Sequence, residues 1–320
     1  MKSERTFQHW AAVEETGILW GMKALLAIYR LFGRPAFRLV LYPVVGYYFL
    51  ANRAARRASR DYLQRLGAYY PELAITGSFL ESYRHFIQFA ETLLDKIVVW
   101  FEDLGPERVI FHNRPLLLNT LTENRGTILL GAHLGNLEIC RALAETRDAV
   151  RLNILVHTKH AEKFNRLLGG VERHGGIELI QVTELNPAVA IRLQEKLDRG
   201  EFLVLVGDRI PIGSPHRTVK AQFLGADAEF PQGPYLLASL LRCPVYTLLA
   251  YPWEGKYQIF LEPFAEQIAL PRRDPQRALE LAGWARRYAE RLESHCRRVP
   301  FQWFNFYGYW DSAGTNSRDE

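Results

Sequence analysis

From residue 127 onward, short apolar runs alternate with longer stretches in which apolar residues recur every three or four positions. The short runs, at 127–132, 152–157, 177–181, 202–207, 219–224, 244–250 and 257–262, read as strands. The periodic stretches, at 136–146, 160–173, 187–198, 232–242 and 275–298, read as helices. Asn186-Pro187 and Asp274-Pro275 each pair a capping side chain with a proline at the first helical position, and Gly200 fits a helix stop. Upstream, Phe79, Tyr83, Phe86, Phe89, Leu93 and Ile97 fall at helical spacing and predict a helix over 76–101. Such alternation predicts an α/β fold, a mixed and largely parallel central sheet flanked by helices.

The N-terminal part follows a different pattern. Residues 18–51 are rich in Leu, Trp, Tyr and Phe but punctuated by Lys23, Arg30, Arg34 and Arg38. The longest uncharged run, Leu39 to Asn52, contains Pro43 and Gly46 and falls short of the roughly 20 residues a helix needs to cross a bilayer. No small-residue cleavage site follows a short apolar core, which argues against a signal peptide. Arg53, Arg56, Arg57, Arg60 and Arg65 come next. An apolar segment joined to a basic helix suits a helical membrane-docking segment on an anionic leaflet. The same residues also suit an amphipathic helix pair packed on the domain, with its arginines in water. The expected division is a helical segment over 1–75, an α/β domain over 76–311 and a disordered tail over 312–320.

Composition narrows the picture. The 320 residues, 48% of them hydrophobic, suffice for a sizeable core. Cys140, Cys243 and Cys296 are odd in number and far apart, which argues against a disulfide framework or a cysteine zinc site. A net charge of +5 points to an anionic partner. No nucleic-acid-binding motif accompanies the arginines, so nucleic acid is not expected.

The chemistry concentrates at Gly126-Thr-Ile-Leu-Leu-Gly-Ala-His-Leu-Gly-Asn-Leu-Glu138. A buried strand ends at small residues and presents His133, and Glu138 follows on the first turn of a helix expected from Asn136. A histidine at the lip of a strand with a carboxylate near it can take a proton from a hydroxyl. The same two residues can equally be a helix-capping histidine and a surface glutamate favoured by the helix dipole. In an open α/β sheet, ligands gather beyond the carboxyl ends of the strands. Asp208-Arg209 ends another strand there, as a substrate contact or as a local ion pair in a loop. His157 and His160 follow a third strand. The helix after Phe230-Pro-Gln-Gly-Pro234 offers backbone N–H groups, near Gly233, to an anion.

Taken together, Gly131-Ala-His-Leu-Gly-Asn-Leu-Glu138, Gly207-Asp-Arg209, Phe223-Leu-Gly225, Phe230-Pro-Gln-Gly-Pro234, Cys243-Pro-Val245 and Pro300-Phe-Gln-Trp303 resemble, in order and spacing, the bacterial lipid A late acyltransferases (lauroyl/myristoyl transferases). That group also includes phosphatidylinositol mannoside acyltransferases. The resemblance runs over about residues 15–310. It implies an enzyme on the cytoplasmic face of the bacterial inner membrane that moves a fatty acyl chain from an acyl carrier protein or coenzyme A thioester to a hydroxyl of a lipid or glycolipid, with no cofactor or metal. His133 would be the general base and Glu138 its orienting carboxylate. Asn136, Arg173, Asp208, Arg209 and Gly233 would bind substrate. The expected oxyanion donors are the N–H groups of Gly135 and Asn136, those near Gly233, or the Arg209 guanidinium. Arg209 stands where many lipid A enzymes have glutamine, and His157-Thr158-Lys159 replaces a Tyr-Arg-Pro-like segment. A lipid hydrolase and a non-catalytic lipid-binding relative are the alternative readings.

Overall fold

The computed structural model describes residues 15–101, 106–140, 150–156, 177–181, 187–210 and 217–310. They fall into two units, 1–51 and 52–320. Compactness divides the chain between Ala51 and Asn52. Helix α2 (Arg53–Tyr69), expected in the N-terminal segment, belongs to the second unit because Tyr62, Leu63 and Leu66 enter its core.

The first unit is helix α1 (Glu15–Ala51), bent at Gly33, where the backbone leaves the helical region at φ 75°. Pro35 and Pro43 lie within the segment that follows. No helix among the described residues is long and apolar enough to cross a membrane. Leu31, Phe32, Leu39, Tyr47 and Leu50 of α1 are nevertheless exposed.

In the second unit, α2 and α3 (Phe79–Phe101) precede β1 (Val109–His112) and α4 (Arg114–Thr122). Next come β2 (Thr127–Gly131), β3 (Leu152–Val156), β4 (Ile177–Gln181), α5 (Pro187–Asp198) and β5 (Phe202–Val206). The chain continues through the hairpin of β6 (Thr218–Phe223) and β7 (Ala226–Pro231), then α6 (Gly233–Leu241), β8 (Val245–Trp253), β9 (Lys256–Ala265) and α7 (Gln276–Arg298). The main sheet has the order β1-β9-β8-β2-β5-β3-β4. Only β8 and β9 pair antiparallel within it, so the sheet is mixed and largely parallel, as the alternating pattern predicts.

Strand β2 lies between β8 and β5 and is buried at every position. Its alternate side chains serve opposite faces: Ile128 and Leu130 join one core cluster, Leu129 the other. Strand β5 divides in the same way, with Leu203 and Leu205 on one face and Phe202 and Val204 on the other. Continuous apolar runs follow from burial on both faces.

Several expected elements differ. Strands β1 and β7 and helix α4 were not expected, and the run at 219–224 pairs with β7 in a separate hairpin instead of joining the main sheet. The hairpin is pinned to α7, where buried Glu293 Oε1 accepts the Leu224 N–H at 2.5 Å. Gly200 ends α5 as expected, at φ +74° with its N–H on the Leu197 carbonyl. The expected helix 136–146 begins as a 3-10 turn, Leu137–Cys140. The rest of that helix, the helix over 160–173 and the tail over 312–320 lie outside the described residues.

Candidate active site

Strands β2 and β5 are parallel neighbours with Gly131 opposite Val206. His133 lies two residues beyond Gly131, and Asp208 two residues beyond Val206. Equal overrun from paired strand ends brings the two side chains together. His133 Nδ1 meets Asp208 Oδ1 at 2.8 Å, while the main-chain N–H of His133 donates to Oδ2 of the same carboxylate, also at 2.8 Å. The Asp208 side chain is 0% exposed and that of His133 is 29% exposed, so the pair has a sealed acid and an open base.

A third strand of chain completes the arrangement. After α7, residues 302–305 run alongside the His133 loop. Leu134 bridges Trp303, Gly135 N–H donates to the Gln302 carbonyl at 2.8 Å, and Phe304 N–H donates to the His133 carbonyl at 2.8 Å. From this strap, Trp303 Nε1–H donates to Asp208 Oδ2 at 2.9 Å and Asn305 Nδ2–H donates to the same oxygen at 3.2 Å. Charge-assisted bonds of this kind are the strong ones. Burial opposes ionisation of Asp208, but the charge and hydrogen bonds of His133, with the nearby Arg209 guanidinium, outweigh it and hold the carboxyl below its ordinary range. A buried carboxylate that accepts at Nδ1 fixes the imidazole with its other nitrogen as the basic one.

Two glycines make room. Gly135 sits at φ +70°, and a Cβ there would run into the Ala250 carbonyl oxygen and Tyr251 Cβ. Gly207 faces the ring of Tyr288, whose hydroxyl donates to the Gly131 carbonyl at 2.8 Å. Gly135 thus lets the His133 loop lie against β8, and Gly207 lets the start of the Asp208 loop lie against α7.

Arg209 donates through Nε to Asn305 Oδ1 at 2.7 Å and through Nη2 to the Phe304 carbonyl at 2.8 Å. These bonds fix the plane of its guanidinium beside Asp208.

Comparison of the chain with protein-family models and with curated protein sequences gives no match.

The structure brings together some of the expected site residues. Asp208, expected to touch substrate, is fully buried and bonded to His133 Nδ1. Glu138 lies on the 3-10 turn, and its side chain is outside the described residues, as are Arg173, His157 and His160. The N–H groups of Gly135 and Asn136, expected as oxyanion donors, are already committed: that of Gly135 to the Gln302 carbonyl and that of Asn136 to the Ala250 carbonyl at 2.7 Å. The Asn136 side chain is buried. Gly233 opens α6 and makes none of the hydrogen bonds that join His133 to Asp208. Trp303 and Asn305 were not expected as site residues. Trp303 entered only within the Pro300-Phe-Gln-Trp303 segment of the resemblance, and Asn305 had no signal beyond its place in the run Gln302-Trp-Phe-Asn-Phe306. Among the described residues, no group of three or more His, Cys, Asp or Glu side chains is placed to hold a metal ion.

Proposed function

We propose that the chain is an O-acyltransferase that moves a fatty acyl group from an acyl carrier protein or coenzyme A thioester to a hydroxyl of a membrane lipid or glycolipid. The observation that carries this reading is the partly exposed His133 ring held by a sealed Asp208 carboxylate at the carboxyl ends of neighbouring parallel strands.

In this mechanism Nδ1–H of His133 donates to Asp208 and Nε2 receives the proton of the acceptor hydroxyl. The hydroxyl oxygen attacks the thioester carbonyl, the carbon–sulfur bond breaks, and the thiol leaves with the proton carried by the imidazolium. A well-placed base contributes about 10²–10⁴ in rate. The developing oxyanion needs a donor, a contribution of about 10²–10³ for each. With Gly135 and Asn136 committed elsewhere, Arg209, fixed beside the pair, is assigned that role. Asp208, Trp303 and Asn305 are positioning residues, since they reach substrate only through His133.

A membrane lipid is the acceptor in this reading. Its support is that α1 exposes Leu31, Phe32, Leu39, Tyr47 and Leu50, and that α2, taken by itself, exposes Arg53, Arg57 and Arg60. Exposed apolar residues and exposed arginines each suit peripheral attachment to an anionic leaflet, on the cytoplasmic side of a bacterial inner membrane.

The test is mass spectrometry of membrane lipids from cells with and without the protein, repeated with His133→Ala. Lipids heavier by one acyl group that require His133 support the proposal. Free fatty acid released without an acylated lipid would favour a hydrolase.

A further inference from the structure

Behind the site lies a second histidine in an unexpected setting. His85 of α3 is 0% exposed, as are Ser59 of α2 and Ser82. Ser82 Oγ–H donates to Ser59 Oγ at 2.9 Å, and Ser59 Oγ lies 3.0 Å from His85 Nδ1. On the far side of the ring, Nε2 lies 2.9 Å from the Trp303 carbonyl oxygen. A carbonyl only accepts, so Nε2 carries the proton, Nδ1 accepts, and Ser59 donates to it. A hydroxyl beside an imidazole resembles a nucleophile and its base, but both are sealed from any substrate.

The chain of bonds leads elsewhere. The residue whose carbonyl His85 holds is the one whose indole N–H holds Asp208, and Asp208 holds His133. The His85 ring packs against both Phe304 of the strap and Phe306 just after it, with ring centroids 6.0 and 4.6 Å away. Tyr62 of α2 adds a bond to the Pro300 carbonyl at 2.9 Å. An apolar side chain could fill this space without desolvating two ring nitrogens. What the imidazole supplies is a directed N–H at a fixed point on the strap. Burial keeps the ring neutral by pulling its pKa down to about 4, so donor and acceptor stay assigned.

We infer that His85 is a positioning residue for His133: by fixing the Trp303 carbonyl it sets where the indole N–H meets Asp208, and hence the orientation of the catalytic imidazole. Its bearing on catalysis rests on the proposed role of His133; the hydrogen-bond relay itself does not.

The experiment compares His85→Gln, whose amide can still donate from the Nε2 position, with His85→Asn, whose shorter amide reaches Ser59 but not Trp303. Two quantities are read: kcat and KM for acyl transfer, and the low-field proton resonance of the His133 Nδ1–H bonded to Asp208. His85→Asn should lower kcat about 10- to 100-fold with little change in KM, and should shift or broaden the resonance. His85→Gln should restore both. Wild-type kcat and an unmoved resonance in His85→Asn would overturn the inference, as would equal loss of kcat in both variants with the resonance intact. If His85→Asn fails to fold, the double variant His85→Phe with Ser59→Ala keeps the volume and removes the serine hydroxyl together with the ring nitrogens. It should lose kcat and the resonance in the same way, and an unaffected double variant is again contradictory. Should the wild-type protein transfer no acyl group, the acyltransferase reading falls, while the resonance in the same variants still decides the relay.

Discussion

The indole N–H of Trp303 ends on Asp208 Oδ2 at 2.9 Å, the oxygen that also receives the main-chain N–H of His133 at 2.8 Å. One carboxylate oxygen thus ties the strap at 302–305 to the loop that carries the base. Asp208→Asn replaces a group that only accepts with one that presents N–H groups to a ring nitrogen. The imidazole then adopts the wrong tautomer, and kcat should fall by about 10³–10⁴ while the fold persists. Trp303→Phe keeps the aromatic packing and removes one bond to a charged acceptor, which should lower stability by about 1.5–3 kcal/mol and kcat by a smaller factor. Steady-state kinetics and urea unfolding separate the two effects.

Gly135→Ala tests the shape of the loop rather than its chemistry. The position needs φ +70° and has no room for a Cβ beside the Ala250 carbonyl. The substitution should destabilise the protein by about 2 kcal/mol or more and displace His133. A melting temperature equal to that of the wild type would mean that the loop is not held as the structure shows.

Acid should weaken the fold through His85. An unfolded histidine titrates near 6.5, and burial lowers His85 to about 4 in the folded protein. Between these values the unfolded chain binds the extra proton, so stability is complete above about pH 6.5 and declines as the pH falls toward 4. The loss is on the order of 3 kcal/mol. Asp208 shifts in the same direction: its folded pKa is depressed, so the stability it gives is present above the ordinary carboxylate range and is lost as the pH falls through its lowered folded value. Urea unfolding at pH 7.5, 6 and 5 should therefore show a slope that His85→Gln flattens.

Membrane attachment is tested on α2. Arg53 and Arg57 are exposed, whereas Arg60 Nε donates to the Gly77 carbonyl and is left in place. Each arginine near an anionic surface contributes about 1 kcal/mol, so Arg53→Glu with Arg57→Glu should weaken binding to phosphatidylglycerol vesicles at low salt by at least about tenfold. High salt should narrow the difference by screening. Unchanged vesicle binding would move the docking surface elsewhere.

Much of this site was legible in the amino-acid sequence, and the illegible part has a physical cause. Strands β2 and β5 announce themselves because burial on both faces makes them continuous apolar runs, and their ends carry His133 and Asp208. Nothing local shows that these strands are neighbours, and that adjacency turns Asp208 from a substrate contact into the partner of His133. The strap is further from reach: Trp303 is 95 residues from Asp208, and its role depends on a tertiary bond. Strand β7 does alternate, with Asp227 and Glu229 between Ala226, Ala228 and Phe230, but alanines give a weak apolar signal. Strand β1 is four residues long, too short for a pattern. The Gly135 and Asn136 N–H groups looked like oxyanion donors only because their acceptors, Gln302 and Ala250, lie far away in the chain.

The central claim is that His133, held by Asp208, takes the proton of a lipid hydroxyl during acyl transfer. It is tested most directly by incubating purified protein with an isotope-labelled acyl thioester and bacterial membrane lipids, and following the label into lipid ester by mass spectrometry. Wild-type protein should transfer the label, and folded His133→Ala should leave it in the thioester. Transfer by His133→Ala at the wild-type rate would contradict the account.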